Sequence, residues 1–363
     1  MSRAARDVIR NSSGDPNFEA PDHVKEAAIQ AIREGGPWTH YAGGGVQEFK
    51  EAVVKYYSKY GVKYDPSEVY PTAGSGPALN LVMAGLLQPG DECIVFDPTF
   101  GTHFRTPPSF GATVAYVPLD KGVFHMDTDA LRKVVTKKSK LIVLCNPNNP
   151  AGTVYTEAEI RAIADVALEN NVTVLADEIY NEFIYDGKKH VAISSLSGMR
   201  EKTVVIMSFS KTFAMTGWRL GYYIAPKTLA EKISRLPFSL APTTFVQKAG
   251  AAALTGPWEP VIKSCEEYDR RRKYFVKRMN EIKGFRCHMF EGAFYAYPNI
   301  KDLPISSAEF VQQLEEKEKV SISDGSRFGP VVAQGHLRIP LVKPINVLET
   351  IADKMEHLAG TLK

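Results

Sequence analysis

The stretch Leu141-Ile142-Val143-Leu144-Cys145-Asn146-Pro147-Asn148-Asn149-Pro150-Ala151-Gly152 is an unbroken apolar run that stops at a polar, proline-rich turn. Five apolar residues without polar alternation read as a strand buried on both faces, as in a parallel sheet covered by helices. The same pattern recurs twice. Residues 172–176 run into Asp177-Glu178-Ile179-Tyr180, and residues 204–207 run into Ser208-Phe209-Ser210-Lys211. In such a sheet, ligands lie outside the carboxyl ends of the strands. Three consecutive strands therefore deliver an amide, a carboxylate and a lysine to one edge.

Outward from these strands, short apolar runs at 92–96 and 113–117 alternate with helical patterns. Residues 204–207 and 220–224 are separated by too little chain for a crossover helix, so that pair is expected to be antiparallel. The prediction is an α/β unit with a mixed, mostly parallel sheet. After Pro260 a long charged amphipathic segment leads to strand-like 285–289 and 294–297, a helix near 307–319 and strand-like 337–341, which read as a smaller α+β unit. A length of 363 residues favours two packed units. Residues 37–261 are expected to form the large domain, and 1–36 with 262–363 the small one.

Composition narrows the function classes. Hydrophobic residues at 44% and charged residues at 23% describe a chain that folds throughout. A net charge of +3, with both signs interspersed, gives no footprint for nucleic acid. The run Arg270-Arg271-Arg272-Lys273 follows Glu266, Glu267 and Asp269 and reads as the solvated face of a salt-bridged helix. Cys93, Cys145, Cys265 and Cys287 lack metal-ligand spacing and read as reduced residues of a cytoplasmic protein. No apolar run approaches the roughly 18 residues needed to span a bilayer. No metal is expected.

A lysine, a strand-end carboxylate and nearby phosphate donors meet the needs of pyridoxal 5'-phosphate. Lys211 supplies the amine for a Schiff base. Asp177 keeps the pyridine nitrogen protonated, and Asn149 and Tyr180 hydrogen-bond the ring oxygen. For the phosphate, Gly74-Ser75-Gly76 before an apolar helix beginning near Pro77 offers backbone N–H groups, unless Ser75 is only that helix's N-cap. Arg219 adds fixed charge, and Ser208 and Ser210 add hydroxyl donors.

The chain resembles the class I aminotransferases of pyridoxal-phosphate fold type I, the group related to aspartate, alanine and aromatic aminotransferases. The resemblance covers nearly the whole chain. It rests on Gly14-Asp15-Pro16-Asn17-Phe18, the runs 146–152 and 177–180, Ser208-Phe209-Ser210-Lys211-Thr212 through Gly217-Trp218-Arg219-Leu220-Gly221, Gly292-Ala293-Phe294-Tyr295, and Leu337-Arg338-Ile339. It implies a ping-pong transaminase in which Lys211, Asp177 and Tyr180 are catalytic. Ser75, Gly76, Ser208, Ser210 and Arg219 would hold phosphate, and Phe100 would stack on the cofactor ring. Tyr41 would reach the phosphate of a partner subunit, implying a homodimer with shared sites. Arg338 would grip the substrate α-carboxylate as a planar fork, with Gly14 and Asn149 beside it.

Three features depart from the family pattern. The segment before Gly14 is short, so the part that many relatives fold over the active site is expected to be reduced. The loop Ala42-Gly43-Gly44-Gly45 is short and glycine-rich. The helix after Pro77 carries no lysine, which some aspartate-specific relatives use for a distal carboxylate. That absence predicts a range of uncharged or aromatic donors with 2-oxoglutarate, rather than aspartate alone. His103, Arg327 and Tyr295 are candidates for the side-chain pocket, Arg327 as a mobile-loop cation for acidic substrates. The competing readings are a carbon–sulfur lyase on the same fold, a nicotinamide oxidoreductase and a non-catalytic ligand sensor. The oxidoreductase reading lacks a strand-to-helix Gly-x-Gly-x-x-Gly, and the sensor reading lacks an appended DNA-binding segment.

Overall fold

The computed structural model describes residues 8–121, 123–235 and 241–362. The first seven residues and Lys363, assigned above to the small domain, lie outside them.

The strands in chain order are β1 (Ile9–Arg10), β2 (Val69–Thr72), β3 (Glu92–Asp97), β4 (Thr113–Pro118), β5 (Ser139–Cys145), β6 (Thr173–Asp177), β7 (Thr203–Ser208), β8 (Gly221–Ile224), β9 (Tyr295–Ala296), β10 (Val320–Ser321), β11 (Ser323–Asp324) and β12 (Leu337–Pro340). Seven of them form one sheet in the order β2-β8-β7-β6-β5-β3-β4. The pairs from β7 through β4 are parallel, and β8 is antiparallel to both β7 and β2. The fold is thus α/β with a mixed, mostly parallel sheet. The antiparallel turn is tight because Arg219 adopts φ 57° and Leu220 returns its carbonyl to the Phe209 N–H.

Burial explains the unbroken apolar runs. Ile142 and Leu144 pack into a cluster on one face of the sheet, and Leu141 and Val143 pack into a second cluster on the other. Alternate residues thus face opposite helix layers, and both layers are dry. The smaller unit combines the three-stranded sheet β11-β12-β9 with the helices Glu259–Glu281, Ser307–Glu318 and Ile345–Thr361.

The structure corrects several local expectations. Strand β2 has no signature in the sequence, since its Val-Tyr-Pro-Thr is too short to show a pattern. Residues 285–289 do not form a strand. The Asn280 side chain accepts from the Cys287 N–H and donates to the Cys287 carbonyl, taking the groups that a neighbouring strand would use. The basic run is only half solvated. A helix rotates about 100° per residue, so four successive residues cannot share one face. Arg271 and Arg272 are buried, Arg271 on Glu267 and Asn17 and Arg272 on Asp186 and Asp269.

Candidate active site

Cys145 and Asp177 are register partners on β5 and β6, and Asp177 lies opposite Ile206 of β7. The carboxyl ends of these strands open together on a cavity of about 620 Å³. Asn149, Asp177, Tyr180, Ser208, Ser210, Lys211 and Arg219 line it from the sheet edge. Ser75, Gly76 and Phe100 close it from the helical side, and Gly14 and Arg338 from the smaller unit. Of the residues named from the sequence, Tyr41, His103 and Arg327 are not on this wall, and Tyr41 is fully exposed on another cavity.

Asp177 is buried, with one carboxylate oxygen 3.0 Å from His103 Nε2, while His103 Nδ1 lies 2.8 Å from Thr99 Oγ1. His103 therefore does not line the side-chain pocket as expected. It follows Phe100 by three residues, which turns its ring onto the sheet behind Asp177. Cys145 was not anticipated as a wall residue, although it ends the strand that leads to Asn149. Burial pushes its thiol well up, and Asp177 adds to that shift. His103, Cys145 and Asp177 bring their ligand atoms within 4.8 Å of one another.

The Tyr180 hydroxyl lies 2.7 Å from that of Tyr295 and 3.5 Å from Asn149 Nδ2. Burial holds both phenols above their ordinary range, so they remain proton donors at neutral pH. The Lys211 ammonium donates to the Gly14 carbonyl at 2.5 Å. Its pKa is pulled down to about 8, chiefly by burial; Asp15 opposes the shift, and Arg338 and Arg219 reinforce it.

The helix Ser75–Leu86 starts at the cavity with Gly74 as its N-cap, so Ser75 is its first residue and not its cap. Among the described residues no side chain caps its leading N–H groups. Arg219 fixes its guanidinium through the Thr216 and Ala73 carbonyls, with no carboxylate bonded to it among the described residues. Ser208 Oγ and Ser210 Oγ lie 2.9 Å apart nearby. Free helix N–H groups, two hydroxyls and an unneutralised arginine are the donor set a phosphate requires.

Gly74 is required for that cradle. Its φ of 99° disfavours any side chain, and a Cβ there would lie 2.7 Å from Arg219 Nη2. Gly74→Ala is expected to weaken pyridoxal phosphate binding at least about tenfold, from backbone strain of about 1–3 kcal/mol plus displacement of the arginine. Equilibrium dialysis of the cofactor-free protein measures it, and unchanged affinity would remove Gly74-Ser75-Gly76 from the phosphate site.

Arg338 on β12 is buried. Its Nη1 is 3.4 Å from Asn149 Oδ1, its Nη2 donates to the Ser12 carbonyl at 2.6 Å, and its Nε has no partner among the described residues. The Tyr295 and Phe328 rings flank it at 4.9 and 4.6 Å. The loop carrying Phe328 is held by Asp97, whose carboxylate accepts from the Val331, Val332 and Ala333 N–H groups. Arg327, also on this loop, is absent from the cavity wall; its carbonyl accepts from Arg105. Tyr295 does line the cavity.

An α/β edge that gathers a lysine of depressed proton affinity, a buried carboxylate and a donor set suited to phosphate defines the pyridoxal-phosphate class. The sequence profile described as "Aminotransferase class I and II" matches residues 6–354. The chain is 36% identical to the aromatic-amino-acid aminotransferase 2 of Thermococcus litoralis, covering 99% of this chain and 93% of that one. It is 37% identical to the aspartate aminotransferase of Pyrococcus abyssi with the same coverage. The crystal structure of an aromatic aminotransferase from Pyrococcus horikoshii superposes with a TM-score of 0.92 at 36% identity, covering 97% of this chain and 95% of that one. The chain belongs to the class I and II aminotransferase family. It is a pyridoxal-phosphate-dependent enzyme that moves an amino group between an amino acid and a 2-oxo acid. Among the described residues no helix is long and apolar enough to cross a membrane.

Proposed function

We propose that Lys211 carries the cofactor and shuttles the substrate's α-proton, that Asp177 faces the ring nitrogen, and that Arg338 receives the α-carboxylate. The observation that carries this reading is Arg338 itself, a buried cation with no carboxylate bonded to it among the described residues and an unpartnered Nε. An uncompensated buried charge is costly, so its retention beside Lys211 is best accounted for by an anionic ligand. Gly14 and Asn149 flank that ligand's position, and a Cβ on Gly14 would collide with the Tyr295 hydroxyl.

Bound pyridoxal phosphate supplies an electron sink for the charge left when the α-proton departs. The chain's residues do the rest. Asp177, oriented by His103, stabilises a protonated ring nitrogen. Tyr180 and Asn149 donate toward the ring oxygen, while Ser75, Gly76, Ser208, Ser210 and Arg219 hold the phosphate. Phe100 covers the ring. Lys211, whose proton affinity is lowered chiefly by burial, takes the α-proton and returns it as a general acid.

The acceptor in this reading is 2-oxoglutarate, and the relatives named above for aspartate and aromatic substrates support a mixed donor range. The protein acts as a cytoplasmic homodimer of two-domain subunits, with residues 37–261 in the large domain and 262–363 in the small one; of residues 1–36, expected in the small domain, the helix Asp22–Glu34 packs instead on Thr244–Thr255 of the large one. Support for the dimer comes from fully exposed Tyr41 beside a cavity of 840 Å³ lined by Trp38, Pro242 and Phe245. That aromatic surface suits a partner subunit whose phosphate site Tyr41 would complete.

Arg338→Ala is the test. It is expected to raise the KM of every amino acid and 2-oxo acid about 100-fold, from about 3 kcal/mol for a charged pair in a closed site. Steady-state kinetics with several donor–acceptor pairs measures it. Wild-type affinities in the variant would exclude Arg338 as the carboxylate anchor.

A further inference from the structure

The far end of the substrate has no partner in the site described so far. A second cavity of about 630 Å³ adjoins the first and shares Phe100 and Thr102 as walls. Its remaining polar walls include Asn80, Arg105 and Thr106. Gly76 and Asn80 stand four residues apart on the helix Ser75–Leu86, so one helix face runs from the cofactor cavity into this one. Gly76 leaves the way open, since even a Cβ there would meet nothing within 4 Å.

Arg105 folds back over Gly101, where a Cβ would lie 3.5 Å from its guanidinium carbon. It is held there by a 2.9 Å bond from Nη2 to the Arg327 carbonyl. Among the described residues it bonds no carboxylate. The Asn80 carbonyl oxygen accepts from Thr106 Oγ1 at 3.1 Å, which leaves the Asn80 amide N–H groups as donors. A fixed cation without a counter-ion, an amide donor and the Thr102 hydroxyl thus share a pocket that continues from the wall of the reacting site.

We propose that Arg105, with Asn80 and Thr102, binds the distal carboxylate of dicarboxylic amino and 2-oxo acids. The assignment rests on the reading of Arg338 as the α-carboxylate anchor. It takes the distal cation away from Arg327, whose side chain lines neither cavity. Monocarboxylic and aromatic substrates leave Arg105 in water, where its charge costs nothing, so one site serves both classes.

The experiment uses the holoenzyme in single-turnover half-reactions, with glutamate and 2-oxoglutarate set against alanine, phenylalanine and pyruvate. Arg105→Ala is expected to weaken the apparent binding of the two dicarboxylic substrates about 30-fold while the others stay within about twofold. Arg105→Lys restores part of the loss, and Arg327→Ala changes neither group. An equal loss across all substrates would reduce Arg105 to a packing role and overturn the proposal. So would unchanged dicarboxylate binding, or a selective loss in Arg327→Ala. The anchor reading fails separately, through Arg338→Ala leaving both substrate groups unaffected.

Discussion

Lys211→Ala is expected to yield a folded protein that binds pyridoxal phosphate without a covalent bond and turns over on the order of 10⁴-fold more slowly. The fold survives because, among the described residues, the Lys211 side chain has one direct polar partner, the Gly14 carbonyl. Burial depresses its pKa from 10.5 to about 8, so the charged form is the one that folding disfavours. The unfolded chain binds that proton more tightly. Lys211 therefore costs stability below about pH 8, and the cost is relieved as pH rises from about 8 toward 10.5. The alanine variant should unfold no earlier than wild type at neutral pH. The same value sets the pH dependence of loading. Covalent attachment of pyridoxal phosphate to cofactor-free wild type should quicken about tenfold per pH unit below 8 and level off above it. Borohydride reduction followed by peptide mapping tests the assignment, and a label on any other lysine would overturn it.

The site was legible where its chemistry sits at the ends of local patterns. Asn149, Asp177 and Lys211 each follow an apolar run, and parallel pairing in register brings those ends together without further information. Contacts between distant segments left no such mark. His103 reaches Asp177 across 74 residues, and nothing in Thr99 to Arg105 announces which ring nitrogen will meet which carboxylate. Asp97 holds the loop at Val331 from 234 residues away, through backbone groups that every residue possesses. Arg271 and Arg272 looked solvated because their neighbours in sequence are acidic. Their burial depends on Asn17 and Asp186, which no helical spacing connects to them. Arg105 carries no mark in the sequence for a related reason. Its significance lies in a wall shared with the cofactor cavity and in the absence of a bonded carboxylate, and both are properties of the assembled fold.

The remaining large effect belongs to Asp177. Asp177→Asn is expected to keep its cofactor, because the proposed phosphate ligands Ser75, Ser208 and Arg219 and the proposed Schiff-base lysine, Lys211, are untouched. Its turnover should fall by roughly 10² to 10⁴, matching about 3–5 kcal/mol for a buried charge deprived of its partner. Shape is nearly conserved, so the loss reports on charge. Asparagine can still bond His103 Nε2 and accept weakly from the Ile179 N–H, as Asp177 does at 3.0 and 3.5 Å. What it cannot do is hold a proton on a pyridine nitrogen by the electrostatic attraction of a buried carboxylate. With Arg338 as the proposed carboxylate anchor, substrate binding should stay within about threefold, so kcat carries the effect and KM does not. Stopped-flow half-reactions at saturating cofactor, with cofactor content checked after alkaline release, separate the two. Turnover within a few-fold of wild type would show that the ring nitrogen draws its proton from elsewhere. His103 would then have to be reconsidered, since it is the hydrogen-bonded neighbour that shares the Asp177 carboxylate.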